Sequence, residues 1–345
     1  MESALITTPP RRSAVRIARA DLPLAVGPAM RTTRSPSTRS PIPMPQIPEP
    51  CVATVMARKG RDDVGASRLA ALAAVLPGAG TPRWLDPGQA VDIPFSSDPA
   101  ALPALRAALD GVLAGADVDA VLQPAAGRRK RLLLADMDST VIHQECIDEL
   151  ADFAGFKAQV AAITERAMRG EIAFEPALRE RVALLRGLPV GTVDRVLSER
   201  ITLVPGGTAL VRTMRAHGGY CALVSGGFTL FTGAVAAMVG FDEHRSNTLE
   251  VEGDRLAGTV AEPILGREAK LDRLVALRDT LGLDRSDVMA VGDGANDLAM
   301  LGEAGLGVAF RAKPAVAAAA QARIDHNDLD ALLFVQGYAR SEFAS

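Results

Sequence analysis

Two carboxylates two residues apart, Asp136 and Asp138 in the run Asp136-Met137-Asp138-Ser139-Thr140, directly follow the apolar run Leu132 to Ala135. Where a chain leaves a sheet, one such carboxylate can attack an electrophile while the other moves a proton. If the electrophile is a phosphate ester, an anionic nucleophile meets an anionic substrate, and the repulsion must be cancelled. A magnesium ion held by hard oxygen ligands does this and neutralises charge during the transfer. Asp136 would attack phosphorus in line. Asp138 would protonate the leaving oxygen, then deprotonate the water that hydrolyses the acyl phosphate. Asp and Ser at a strand end also make helix caps and turns, so this run alone leaves both readings open.

Three further groups bear on the choice. Ser225-Gly226-Gly227, after the apolar run Cys221 to Val224 and opening a helix from Phe228, offers a hydroxyl and bare amides for phosphate oxygens, or an ordinary turn. Lys270, early in a predicted helix Glu268 to Leu281, is suited to neutralise nucleophile and phosphoryl group together, or is a solvated surface charge. Gly292-Asp293-Gly294-Ala295-Asn296-Asp297 follows a third apolar run, Val288 to Val291. There Asp293 can complete the magnesium site, Asn296 can donate to phosphate or its neighbours, and Asp297 can orient Lys270 or the waters of the metal; a turn with an Asn cap is the alternative. The coincidence of three such groups at successive strand ends favours the chemical readings.

The elements that must position these groups are legible in the pattern. From Leu132 onward, apolar β runs (also Tyr220 to Val224 and Gly305 to Ala309) alternate with helical periodicity, which predicts an α/β fold with a doubly wound parallel sheet. Such sheets bind ligands beyond the carboxyl ends of their strands. A mostly helical stretch, about 142–203, interrupts the alternation as an inserted cap, with helices expected over Glu145 to Phe153, Lys157 to Met168, Phe174 to Leu185 and Gly191 to Ser198. The run from Asn247 to Thr259 reads as a β-hairpin turning at Gly253-Asp254 and is given no chemistry. Ahead of the basic linker Arg128-Arg129-Lys130-Arg131, residues 51–126 read as strand, helix, two strands, helix, strand: a small α+β module of ferredoxin-like type. Residues 1–50, rich in Pro, Ser, Thr and Arg without apolar period, are expected to be a disordered tail.

Composition sets the outer limits. With 345 residues, 48% hydrophobic and 23% charged, the chain can bury a full core and holds room for two domains and a tail. A net charge of -3 gives no electrostatic footprint for nucleic acid. Cys51, Cys146 and Cys221 are too few and too scattered for a disulfide framework or a zinc site, and no run is long and apolar enough for a membrane span; a cytoplasmic protein is expected, with no membrane partner. Other phosphate chemistries lack their residues: no C-x5-R loop, no GxxxxGK[ST], and four scattered histidines.

In order and spacing, DMDSTVI, SGG, Lys270 and GDGAND resemble the motifs of the haloacid dehalogenase superfamily, from about Lys130 to the end of the chain. Met137, where a transport ATPase of that superfamily would carry Lys, argues against a pump. Within the superfamily the chain is similar to the phosphoserine phosphatases, through HQECIDELA around Glu145 and through Phe174 and Arg181. The resemblance implies a phosphatase domain over 130–345 acting on O-phospho-L-serine, as in the last step of serine biosynthesis. It implies that Asp136, Asp293 and the main-chain carbonyl of Asp138 bind Mg2+. Glu145 would receive the ammonium group of the substrate, Arg181 would pair with its carboxylate and Phe174 would shield the site. It also implies that 51–126 is an ACT-like domain of the kind that can bind amino acids or mediate dimers, which leaves a homodimer open as a partner and the oligomeric state undetermined by the sequence. Two rivals stay open at this point: a phosphotransferase or phosphatase for another metabolite, such as one passing phosphate from phosphoserine to homoserine, and a serine-sensing regulatory protein.

Overall fold

The computed structural model describes residues 48–61, 63–169 and 171–344. The expectation for the tail falls almost wholly on residues 1–47, outside the described residues. Strand β1 (Glu49–Ala57) starts two residues ahead of the expected module. It is followed by α1 (Ala66–Val75), β2 (Arg83–Asp86), β3 (Ala90–Ser97), α2 (Leu102–Leu113) and β4 (Val118–Pro124). The strands form an antiparallel sheet in the order β2-β3-β1-β4, so this is a four-stranded α+β domain. Strand periodicity divides β1 between two environments. Ala53 and Val55 meet Leu72 of α1 and Leu109 of α2, whereas Met56, with Leu85, Ala90 and Val121, joins a second core that contains Leu329, Leu332 and Val335. One face of the sheet is covered by its own helices and the other by the C-terminal segment of the chain.

Polar groups fix that docking. Buried Asp119 on β4 accepts the backbone N–H groups of Asp325 (2.8 Å), His326 (3.2 Å) and Asn327 (3.0 Å), and the Asn327 side chain donates both to Asp119 and to the Met56 carbonyl. Gln123 Nε2 donates to the Val335 carbonyl at 2.7 Å. Asp119→Ala would leave three backbone amides without their acceptor. Its expected cost is about 3 kcal/mol, read as a lower midpoint in urea unfolding; an unchanged midpoint would contradict this account of the docking.

The second sheet begins with β5 (Leu132–Ala135). The helices α3 (Cys146–Ala154), α4 (Lys157–Met168), α5 (Phe174–Ala183) and α6 (Gly191–Glu199) interrupt it before α7 (Gly207–Ala216) and β6 (Tyr220–Phe228). Then come α8 (Thr229–Val239), β7 (Glu243–Asn247), a hairpin of β8 (Leu249–Glu252) and β9 (Arg255–Val260), and α9 (Arg267–Thr280). The chain continues through β10 (Val288–Gly292), α10 (Leu298–Glu303), β11 (Leu306–Phe310), α11 (Pro314–Ala319), β12 (Ala322–Ile324) and α12 (Ala331–Val335). Six strands, all parallel, lie in the order β12-β11-β10-β5-β6-β7. The continuous apolar run of β5 reflects burial on both faces: Leu133 and Ala135 pack with Val211 and Phe231 on one side, Leu132 and Leu134 with Leu274 and Met300 on the other. Among the described residues no helix is long and apolar enough to cross a membrane.

The two ends of the helical insert meet in a bridge between Ile142 and Leu203, reinforced by Val204 N–H donating to the Val141 carbonyl at 2.9 Å. The hairpin supports the cap. Gly187 and Leu188 exchange backbone hydrogen bonds with Leu256, and Arg179 of α5 pairs with Glu262 at 2.6 Å. Gly258 lets the strand approach, since a Cβ there would lie 2.7 Å from the Arg186 Cβ, and its φ of +77° also favours glycine. The hairpin given no role by the sequence thus holds the helix that carries Phe174 and Arg181.

Candidate active site

Strand β5 delivers Asp136 to the carboxyl end of the sheet, where its N–H still donates to the Val291 carbonyl of β10 at 3.0 Å. The chain then turns tightly: the Met137 carbonyl accepts from the N–H groups of Thr140, Val141 and Ile142, and Ser139 takes a φ of +55°. A non-glycine residue seldom adopts that conformation. Here it is held by Ser139 N–H donating to the Gln144 carbonyl and by its hydroxyl donating to Glu145 Oε1 at 2.7 Å.

Asp136 is buried; its Oδ1 accepts the Met137 N–H at 2.7 Å and its Oδ2 lies 2.6 Å from Lys270 Nζ. Lys270 is no surface charge. It is 2% exposed and also donates to Asp297 Oδ1 at 2.6 Å, while Asp297 Oδ2 accepts the Gly294 N–H. Burial opposes the ammonium charge, but Asp136 and Asp297 outweigh it and raise the Lys270 pKa. The trio still carries more negative than positive charge. Burial, and next the charge of Asp136, push Asp297 up to about 7 and raise Asp293 as well.

Asp138 stands apart from this trio. Its Oδ1 accepts the Cys146 N–H at the start of α3 (3.0 Å), and its Oδ2 accepts the Ser225 hydroxyl (3.3 Å). Burial first, and then the charge of Asp136, push its carboxyl up to about 6. Two adjacent carboxylates with different partners are the arrangement a nucleophile and a proton donor require.

The Ser225 segment differs from expectation. Strand β6 runs through Ser225-Gly226-Gly227 to Phe228 with a register shift, and α8 starts at Thr229. The Gly227 N–H donates to the Ser225 hydroxyl at 2.8 Å, so that amide orients Ser225 and is not part of an open anion nest. A Cβ on Gly227 would sit 2.9 Å from Asp138 Oδ2, which makes glycine a packing requirement of the carboxylate. Asn247, at the end of β7, supports the loop from behind: its side chain donates to the carbonyls of Gly226 and Leu265 and accepts from the Leu265 N–H.

These groups open onto one cleft of about 440 Å³ between sheet and cap. Asp136, Asp138, Glu145, Phe174, Arg181, Ser225, Gly226, Asp293 and Asn296 all line it, with Lys270 and Asp297 buried among the acidic groups at its base. Burial, then the charge of Asp138, push Glu145 up to about 7, although solvent reaches it through the cleft. Arg181 donates to the Ala177 carbonyl and the Thr164 hydroxyl, and burial lowers its pKa. Phe174, 41% exposed, reaches across from the cap toward Gly226 and Gly266. Sequence reasoning passed over Thr140, which donates to Asp293 Oδ1 at 3.2 Å, and over Asp148, Thr164 and Lys313 in the cleft wall. The DMDST run already contained Thr140; the others carry no local signal.

Among the described residues, Asp136, Asp293 and Asp297 each bring a carboxylate oxygen within 4.8 Å of the others. Hard oxygen donors and a surplus of negative charge fit a divalent cation. Asp138, with its carboxylate turned to Cys146 and Ser225, has only its backbone oxygen to contribute.

A model of the haloacid dehalogenase-like hydrolases matches residues 133–302. A curated phosphoserine phosphatase of Mycobacterium tuberculosis is 42% identical over 258 residues, 74% of this chain and 63% of its own length. One of Polaromonas sp. is 47% identical over 208 residues, 59% of this chain and 88% of its own. The solved structure of a probable phosphoserine phosphatase from Vibrio cholerae superposes with a TM-score of 0.67 at 28% identity, covering 85% of this chain and 88% of that one. The matched part of this chain spans less than two thirds of the mycobacterial relative.

Proposed function

Since the chain belongs to the phosphoserine phosphatase family of the haloacid dehalogenase-like hydrolases, we propose that it hydrolyses O-phospho-L-serine to serine and phosphate through a phosphorylated Asp136. One observation carries the reading: the cleft that holds the unequal carboxylates Asp136 and Asp138 is also lined by one anion, Glu145, and one cation, Arg181, from the cap side. An amino-acid head presents the complementary pair of charges.

Asp136 attacks phosphorus while Lys270 fixes its orientation. Ser225, the Gly226 amide, Lys270 and Asn296 hold the phosphate oxygens. Asp138, in the protonated form that its raised pKa of about 6 makes accessible, gives its proton to the departing serine oxygen, and the carboxylate so formed then takes a proton from the water that attacks the acyl phosphate. The two steps leave Asp138 as it began, so the cycle balances. Asp136, Asp293 and the Asp138 carbonyl would hold Mg2+, with Asp297 supporting Lys270; bound there, the ion neutralises charge on nucleophile and phosphoryl group. Phe174 covers the cleft during attack.

We assign the phosphatase to residues 130–345 with its cap at about 142–203, and the preceding α+β domain to 51–126. Three buried free thiols suit a reducing compartment, and we assign the enzyme to the cytoplasm. Pairing of two copies through the α+β domain would have to use its edge or its helices, because its open sheet face is covered by the C-terminal segment.

The test is phosphate release from L-phosphoserine, phosphothreonine, phosphoethanolamine and an aryl phosphate, with magnesium and with excess chelator. Magnesium-dependent preference for phosphoserine is the expected result; equal use of all four esters would discard the substrate. In the same assay Arg181→Ala is expected to lower kcat/KM for phosphoserine by about 100-fold and that for phosphoethanolamine, which has no carboxylate, far less. Equal losses would assign Arg181 to the fold or the phosphate.

The Glu145 carboxyl gives a pH signature. It is neutral below about 7 and charged above, and only the charged form attracts an ammonium group. The ratio of kcat/KM for phosphoserine to that for 3-phosphooxypropionate, which lacks only the ammonium, should therefore rise with pH through that value. Taking the ratio cancels the titration of Asp138. A flat ratio would remove Glu145 from ammonium recognition.

A further inference from the structure

Between α2 and the segment running from α11 into β12 lies a second cleft, of about 810 Å³, that the phosphatase chemistry does not use. It is within the range of roughly 300–1,000 Å³ found for sites that enclose small organic molecules, and it sits where two domains meet. Its walls are largely aliphatic. Leu102 and Ala107 come from α2, Leu122 from β4, Leu306 from β11 and Ala318 from α11.

Two cations line the same cleft without a direct ion pair. Lys130, 8% exposed, donates Nζ to the carbonyls of Gly127 (2.9 Å) and Ser286 (2.7 Å). Arg106 donates to the carbonyls of Ala320 and Gln321, both at 3.0 Å. Among the described residues, neither side chain forms an ion pair with a carboxylate. The one carboxylate of the cleft wall, Asp110, is held by Arg323 at 2.9 Å. Burial lowers the pKa of both cations, outweighing the carboxylates that pull the other way at longer range, Asp110 and Asp325 at Arg106 and Asp287 at Lys130. A guanidinium has five N–H donors and an ammonium three, so both retain donors beyond those spent on carbonyls.

We propose that this cleft binds a small carboxylate with an apolar body, its head taking the remaining donors of Arg106 and Lys130 and its body lying on the aliphatic walls. An ammonium on the same ligand gains nothing, because Asp110 is already paired. The site is separate from the catalytic cleft and does not depend on the substrate assigned to it.

Octanoate titrated calorimetrically into the full chain is the first probe, with octanamide and octylamine as its neutral and cationic counterparts. One octanoate should bind per chain, and octanamide about tenfold or more weaker, as the loss of a charge-assisted hydrogen bond requires. Octylamine should not bind. Arg106→Gln should weaken octanoate by a similar factor. Ala107→Trp, at an exposed position on α2, should abolish binding by filling the cleft while phosphate release is unchanged. Ala318→Trp fills it from the opposite, also exposed, wall, so a folding defect in one variant does not decide the matter. No octanoate binding at millimolar concentration, equal binding of octanamide, tighter binding of 2-aminooctanoate than of octanoate, or binding that survives both tryptophans would each overturn the proposal.

Discussion

Asp136→Asn is expected to lower phosphoserine turnover by at least about 10⁴-fold without loss of the folded state, because an amide neither attacks phosphorus nor supplies the negative oxygen a cation needs. The fold should tolerate the change for a reason visible in the cleft. Asp138, Asp293 and Asp297 are raised by burial and then by the charge of Asp136, so a neutral side chain of the same size relieves repulsion as it removes the nucleophile. Lys270 keeps Asp297 as partner. The check is a steady-state assay beside a thermal melt. Activity within tenfold of the wild type would end the assignment of Asp136 as nucleophile; lost activity with a collapsed melt would transfer the residue to the fold.

Asp138→Asn should cost about 10² to 10⁴-fold on phosphoserine, the usual range for removing a general acid and base. Its signature is a dependence on the leaving group. A serine alkoxide cannot depart unprotonated, whereas a nitrophenolate can. With p-nitrophenyl phosphate the variant should complete the first half of the reaction and stall at the acyl phosphate, since the residue that activates water is also missing. A burst of one nitrophenol per enzyme followed by a slow steady state is expected. Equal losses on both esters with no burst would mean that Asp138 organises the loop through Cys146 and Ser225 and carries no proton.

How much of this was legible in the sequence depended on whether the signal was local. The two carboxylates, the serine-glycine run and GDGAND could be read because apolar runs such as Leu132–Ala135 and Val288–Val291 are buried on both faces and so announce parallel strands. The α+β domain was readable chiefly from the buried apolar run of β1, Cys51 to Ala57, although its sheet is antiparallel. The edge strands of the parallel sheet were not. Strand β7, with the sequence Glu-His-Arg-Ser-Asn, is a polar edge strand, and β12 spans three residues, so neither shows apolar period. Lys270 looked like any helical lysine, because its burial depends on Asp136 and Asp297, brought to it from two other strand ends. Asn247 and the Asp119 contact with residues 325–327 were invisible for a like reason, since each joins segments far apart in the chain.

The most direct measurement is to mix the enzyme with 32P-labelled phosphoserine and magnesium, quench in acid within the first turnover, reduce the acyl phosphate with borohydride and locate the modified residue by mass spectrometry. Conversion of Asp136 to homoserine, with no such product in Asp136→Asn, is the predicted result. Full phosphatase activity with no label on the chain, or with label on another side chain, would contradict a phosphorylated Asp136.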